Sequence, residues 1–364
     1  MRSILALYIT LMPVILAGVL NMIFCKSSLL DAAYRPMDAG LILEEELALI
    51  EGSHPLSSDL DTYAFVGYMN SQPCIRGLLT FYPNDEAAYL GFFESINDQQ
   101  IASAFIEHLA GFARSLGAIK IIGPVQASFW LGYRMQLSGT EDVPFTGEPH
   151  NPAYYPELWK AAGFELKERY LSNFYPKVSN QTHQVKLAHR FESFEEAGFT
   201  IYSPKKQEWE ETSLQVFELL NRLYQDFPIY RSISSQQFSQ IFQKYQYILD
   251  FSMVKLAYKE GKLAGFLIAM PDYGSLVYQK LTLLNLAKLF WTKRFPKRYM
   301  IMYLGVDEEF LGLGSALAYP IFKEAQKRQA SAIGALIHQK TVTRHYAAEL
   351  QGDKHEYGLF ELDL

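Results

Sequence analysis

Cysteine is nearly absent: Cys25 and Cys74 are the two in 364 residues. That excludes a disulfide framework and a four-cysteine zinc site, and each sits in an apolar context that reads as ordinary packing. A surplus of positive charge is missing too. Lys and Arg number 33 against 39 Asp and Glu, a net charge of −6, so the chain lacks the positive face that nonspecific nucleic-acid binding needs. No H-E-x-x-H, G-x-S-x-G or Walker A sequence occurs, which removes metal-hydrolase, serine-hydrolase and nucleotidase readings. His338, His345 and His355 show no metal-ligand spacing. Low-complexity stretches are lacking as well. Apolar residues make up 49% and aromatics 15%, enough to fill the cores of about two domains of roughly 150 residues.

What the amino end does have is an uncharged apolar run, Ile4 to Cys25. About 20 such residues cross a bilayer, and Pro13 within the run is tolerated in lipid. The run exceeds a signal-peptide core and no A-x-A site follows it. A spanning helix is therefore expected, with residues 1–26 as a transmembrane anchor and 27–60 as a connector. A buried soluble helix and a signal peptide are the alternatives. Arg2 before the run, against Lys26 and Arg35 after it, places the globular part on the cytoplasmic side of the membrane. The stretch Pro13 to Gly40, PVILAGVLNMIFCKSSLLDAAYRPMDAG, resembles the first membrane helix of CDP-archaeol synthase-like membrane proteins. The resemblance implies an anchor without the synthase activity, because the several further apolar segments of such an enzyme are lacking.

Beyond residue 60 the chain repeats itself. Gly77-Leu-Leu-Thr-Phe-Tyr-Pro83-Asn84 and Gly265-Phe-Leu-Ile-Ala-Met-Pro271-Asp272 share a glycine, a mostly apolar run, Pro, and Asn or Asp. Each reads as a strand ended by a turn, since Pro cannot continue a central ladder. Strands at Tyr63–Met69 and Met253–Tyr258 precede them, the second across a Lys259-Glu260-Gly261-Lys262 hairpin turn. Helices follow. Ile101, Phe105, Leu109 and Phe112 line one face of a helix from Asp98, its N-cap, to Leu116. Gly314 to Gln329 is the matching helix in the second half. Strands at 119–123 and 332–337 complete two strand–helix–strand crossovers. The reading is α/β, with two similar mixed-sheet domains at 61–180 and 185–364.

The sharpest local signal is Tyr303-Leu-Gly-Val-Asp-Glu-Glu-Phe-Leu-Gly312-Leu-Gly314-Ser315-Ala316. A strand ends in a turn with glycines two apart, and a helix begins. Such a turn brings backbone N–H groups and a helix amino end against an anion, a pyrophosphate by preference, or it is a tight turn that binds nothing. At these residues the sequence resembles the GNAT acyltransferases, whose acyl-CoA loop reads Arg/Gln-x-x-Gly-x-Gly/Ala. Here Gly312 and Gly314 match and Glu309 stands in place of Arg or Gln. IIGPVQASFWLGYR (from Ile121) and GEPHNPAYYPELWKAAGF (from Gly147) narrow the likeness to a bacterial tandem GNAT-like family over about residues 61–364. The resemblance implies two tandem GNAT-like domains, the first degenerate, because Glu94–Asp98 occupies the place of its glycine loop. It implies acetyl-CoA or another acyl-CoA as cosubstrate, held by Leu304, Val306, Leu311, Gly312, Leu313, Gly314 and Ser315. A small-molecule amine is the implied acceptor.

That chemistry needs a base for the amine and an acid for the leaving thiolate. By the resemblance Tyr346 is the candidate acid and His338 or Glu308 the candidate base, while Thr341 falls where the family carries Asn. A non-catalytic, membrane-tethered acyl-CoA or small-molecule binding protein is the alternative. One further segment, Tyr278 to Tyr299, joins leucines, Phe290 and Trp291 to six bases. It fits a helix docked on its own sheet with solvated bases, the first reading, and as the alternative one lying on an anionic leaflet.

Overall fold

The computed structural model describes residues 22–27, 44–70, 72–225, 227, 229–340 and 352–364. They divide between two units. The first takes in the described residues of Met1–Thr140 with Pro149–Glu168 and Gly358–Leu364; the second takes in Glu141–Glu148 and those of Arg169–Tyr357.

In the first unit, β1 (Met22–Ser27) lies antiparallel to the strand that runs Asp61–Met69. The expected membrane helix over Ile4–Cys25 therefore meets a correction at its end: Met22 to Cys25 are strand. Most of that run lies outside the described residues. Apolar runs of β-formers are ambiguous between helix and strand, and pairing with a neighbouring edge decides. Among the described residues no helix is long and apolar enough to cross a membrane. The stretch expected to be connector contains α1 (Glu44–Glu51). It is pinned by a buried bidentate pair, Arg76 Nη1 and Nη2 donating to Glu46 at 2.7 and 3.0 Å.

The meander β2 (Asp61–Met69), β3 (Gln72–Phe81) and β4 (Ala87–Ser95) follows. Next come α2 (Gln99–Ser115), β5 (Lys120–Gly123), the short β6 (Met135–Gln136) and α3 (Tyr155–Ala161). The Asp98 carboxylate accepts from the N–H groups of Gln100 and Ile101, the cap expected of it. Ile101, Phe105 and Leu109 of α2 pack with Ile75, Leu90 and Trp159 in the first core.

Into the second unit run β7 (Glu165–Tyr175), α4 (Val185–Glu196), β8 (Phe199–Tyr202), α5 (Trp209–Leu223), α6 (Ser235–Phe242) and α7 (Tyr245–Ile248). The hairpin of β9 (Val254–Lys259) and β10 (Lys262–Pro271) turns at Glu260-Gly261, both at positive φ, as a two-residue turn demands. Then come α8 (Leu283–Arg294), β11 (Arg298–Val306), α9 (Leu313–Lys327), β12 (Ser331–His338) and β13 (Lys354–Asp363). The strand order in this unit is β8-β9-β10-β11-β12-β7. Strand β12 is parallel to β11 and antiparallel to β7. In the first unit the order is β1-β2-β3-β4-β5, and Phe360–Asp363 of β13 pair antiparallel with β5. Leu313, Leu317 and Ile321, four apart, seat α9 on Ala257, Ala264 and Leu267; each large side chain so buried contributes about 1.5–3 kcal/mol. Asp250 ties the end of α9 to the start of β11, accepting from Arg328 at 2.5 Å and from the Tyr299 hydroxyl at 2.8 Å.

Candidate functional site

The parallel pairing of β11 with β12 covers only Arg298–Ile301 against Ser331–Gly334. Beyond it β11 takes one extra residue, Met302, because Ile268 faces Tyr303 while Ala269 faces Ile301. Such a bulge bends its strand and raises the local twist. Strand β12 bulges in turn against β7 between Gly334 and Ile337, with Leu336 at positive φ. The two strands thus stop pairing halfway, and Ile301–Leu304, Val306 and Leu336–His338 are all half-buried. Among the described residues no strand pairs with β11 beyond Ile301 on its β12 side, and this divergence forms a slot. Leu304 and Val306, two of the expected binding residues, sit on its β11 side.

At its far end β11 runs into the glycine turn. Gly312 is the residue before α9, with φ +95°, a conformation that favours glycine. No side chain caps the helix. Leu313 and Ser315 donate their N–H groups to the Phe310 and Gly312 carbonyls, each at 3.1 Å, and the turn keeps the partial positive charge of a helix amino end. Leu313 and Gly314 are buried, Ser315 is half-buried, and Leu311 is exposed. One residue that the sequence reading did not contain joins them. Arg190, from α4, lies with its guanidinium carbon 3.3 Å from where a Cβ on Gly312 would stand. Its side chain is exposed, and no described carboxylate pairs with it. A guanidinium and an uncapped helix amino end therefore converge on one turn. Glu309 and Glu308 are both exposed there. Asp307 is instead drawn to Arg222, at 3.1 Å.

The candidate bases are on different elements. His338 ends β12, half-buried, with Tyr170 and Phe227 edge-on at ring distances of 4.9 and 5.5 Å. Glu308 lies in the turn after β11. Tyr346 and Thr341 lie outside the described residues.

The first unit has the same parallel start and a different sequel. Strands β4 and β5 pair over Ala87–Tyr89 against Lys120–Ile122, and β4 then gains an extra residue at Phe92–Phe93 opposite β3. Here the chain itself fills the divergence. Val125 donates its N–H to the Leu90 carbonyl at 2.8 Å, and the Gln126 side chain accepts from the Phe92 N–H. A Cβ on Gly91 would stand 2.0 Å from the Val125 oxygen. Every residue of β4 except Phe92 is buried.

No family model and no curated relative matches the chain. Solved structures do. A GCN5-related glucosamine N-acetyltransferase region of a fungal multi-domain GH3 β-N-acetylglucosaminidase is similar at TM-score 0.53 and 13% identity, over 94% of this chain and 38% of that one. The tandem GNAT protein of the clavulanic acid biosynthesis pathway, without AcCoA, is similar at TM-score 0.48 and 10% identity, over 92% and 91%. A GCN5-related N-acetyltransferase from Sphaerobacter thermophilus follows at 0.45 and 10%, over 82% and 80%. The fold is a GNAT-like mixed α/β sheet. Nothing among these likenesses supports the expected kinship of Pro13 to Gly40 with CDP-archaeol synthase-like proteins.

Proposed function

We propose that the second unit is an acyl-CoA-dependent N-acyltransferase, moving an acetyl group to a small-molecule amine, in a chain held at the membrane with its globular part cytoplasmic. The observation that carries the reading is the slot between β11 and β12 that ends on an uncapped helix amino end beside Arg190. An extended amide-bearing arm such as pantetheine would add to β11 as a strand does, through main-chain hydrogen bonds. The pyrophosphate would then reach Gly312–Ser315, where backbone N–H groups and the guanidinium offer charge-assisted hydrogen bonds. Arg190 would supply the positive charge that Glu309 does not.

The reaction asks little covalent chemistry of the protein. The amine nitrogen attacks the thioester carbonyl, the C–S bond breaks, the nitrogen sheds a proton and the thiolate gains one. His338, at the slot's β12 wall, would accept the first proton directly or through water. Glu308 is the second candidate base and Tyr346 the acid. The position of Glu309 in place of Arg or Gln favours one rival, a protein that binds acyl-CoA without turning it over.

Calorimetric titration with CoA and with pantetheine tests the site. CoA should bind more tightly, because the phosphates provide the handle. Arg190→Glu should weaken CoA by roughly tenfold or more, as one charge-assisted contact becomes a repulsion. Glu309→Gln should leave affinity equal or better. No heat with CoA from folded protein would remove the reading. Binding without thiol release from acetyl-CoA, across a panel of amines, would support the rival.

A further inference from the structure

Helix α8 is built inside out. At about 100° per residue, Leu283, Leu284, Leu286, Ala287, Phe290 and Trp291 fall within an arc of roughly 160°. An arc of that kind normally faces a core. Here all six are exposed, the five large ones by 46% to 88%. The residues turned inward are Asn285, Leu289, Thr292 and Lys293, all half-buried, and no residue of the helix is fully buried. Polar contacts hold it. Thr282 caps it, accepting from the Asn285 N–H at 3.2 Å, and the Lys293 ammonium donates to the Tyr247 carbonyl at 2.7 Å. Leu281 before the helix and Phe295 after it extend the apolar face, exposed by 70% and 52%. Docking of the apolar face on the chain's own sheet, one of the two readings of this segment, is thereby set aside.

The charge around that face has one sign. Between Asp272 and Asp307 there are six Lys and Arg and no acid, in a chain of net charge −6. Lys280, Lys288, Arg294 and Lys297 are exposed. Of the six, Arg298 is engaged by Asp272, at 2.5 Å, and does not enter the count.

We propose that α8 is a membrane-surface element, lying in the plane of an anionic leaflet with Leu283, Phe290 and Trp291 in the acyl boundary and Lys280, Lys288, Arg294 and Lys297 at the headgroups. The combination of an exposed leucine-rich arc, a tryptophan and a rim of bases is what binds such an interface. Each base near an anionic surface adds about fivefold in partitioning. A second copy of the chain fits less well. Two α8 faces brought together about a twofold axis bring bases of both copies into one interface with no acid from either segment to pair them. The proposal does not depend on acyl transfer, and either can fail without the other.

The test uses the full chain and reads Trp291 itself, because the apolar amino-terminal run can bring the protein to a bilayer by another route. Vesicles of phosphatidylcholine alone, and of phosphatidylcholine with phosphatidylglycerol, carry brominated chains that quench indole. With the anionic vesicles, emission from Trp291 should shift to the blue and be quenched, and Trp291→Phe should abolish that component. Leu283→Glu with Phe290→Glu should remove it as well, at exposed positions that leave the fold intact. Lys288→Glu with Arg294→Glu should lower partitioning by roughly a hundredfold or more, and added salt should act in the same direction. Three results would overturn the proposal. One is the absence of Trp291-dependent quenching on anionic vesicles, and another is equal quenching on neutral ones. The third is a Trp291 already shielded without lipid, whether by the chain's own segments or by self-association that grows with concentration.

Discussion

The two units start their second crossover strand in the same way and then use the space differently. In the first, β4 and β5 separate after three paired residues, and Val125 and Gln126 bond to the strand that β5 has left. In the second, β11 and β12 separate after four, and the diverging half of β11 remains half-buried. The helix starts differ in the same sense. Asp98 spends its carboxylate on the first N–H groups of α2, whereas no side chain caps α9, whose start at Gly312 lies beside a guanidinium. A negative side chain at the amino end of α2 repels an anion there, and no such side chain caps α9. The comparison teaches that a parallel strand pair which separates midway leaves β-strand backbone unpaired on one side, and that the next few residues decide whether the chain pairs with it, as Val125 and Gln126 do.

The largest effect should come from disturbing the filled slot. At Gly91 a Cβ meets backbone rather than a flexible side chain, so Gly91→Ala must push Val125 off β4. A loss on the order of 3 kcal/mol is expected, read as a lower denaturant midpoint without any change in CoA affinity per folded molecule. A neutral Gly91→Ala would break the contrast, since it would mean that the first slot is loosely filled.

A smaller effect separates the units by pH. Burial lowers the pKa of His54 and of His108 in the first unit, and the His54 Nδ1 accepts from the Leu56 N–H at 3.1 Å, which requires the neutral ring. With the folded pKa below the unfolded value of about 6.5, the unfolded state takes up protons first as pH falls. The stabilising contribution is present above about 6.5 and is lost on acidification. Urea midpoints at about pH 7 and about pH 5 should therefore separate for the wild type and converge for His54→Gln with His108→Gln. Equal spacing in both proteins would place the acid sensitivity elsewhere.

Much of this was legible in the sequence where the signal is local. The face of Ile101, Phe105 and Leu109 with Asp98 before it yields α2, observed at Gln99–Ser115. The glycines at 312 and 314 mark the turn into α9, observed at Leu313–Lys327. Other features are not local and could not be read. Arg190 meets Gly312 across more than a hundred residues of chain, and Glu46 meets Arg76 across 30. The bulge at Met302 has no glycine or proline to announce it. Periodicity showed α8 to have an apolar side but not that this side points outward. Met22 to Cys25, apolar and uncharged, fits a membrane helix or a strand by composition alone, and a neighbouring edge in the fold decides.

The central claim is that acyl-CoA enters one slot and not the other. Hydrogen exchange of the full chain with and without acetyl-CoA reads both slots in a single experiment. Amides of residues 302–306 and 311–315 should slow on binding, because the ligand pairs with β11 and covers the glycine turn, while residues 87–98 and 124–128 should exchange as before. Slowing in β4 and the Val125 segment, or none in either region at saturating acetyl-CoA, would contradict the account.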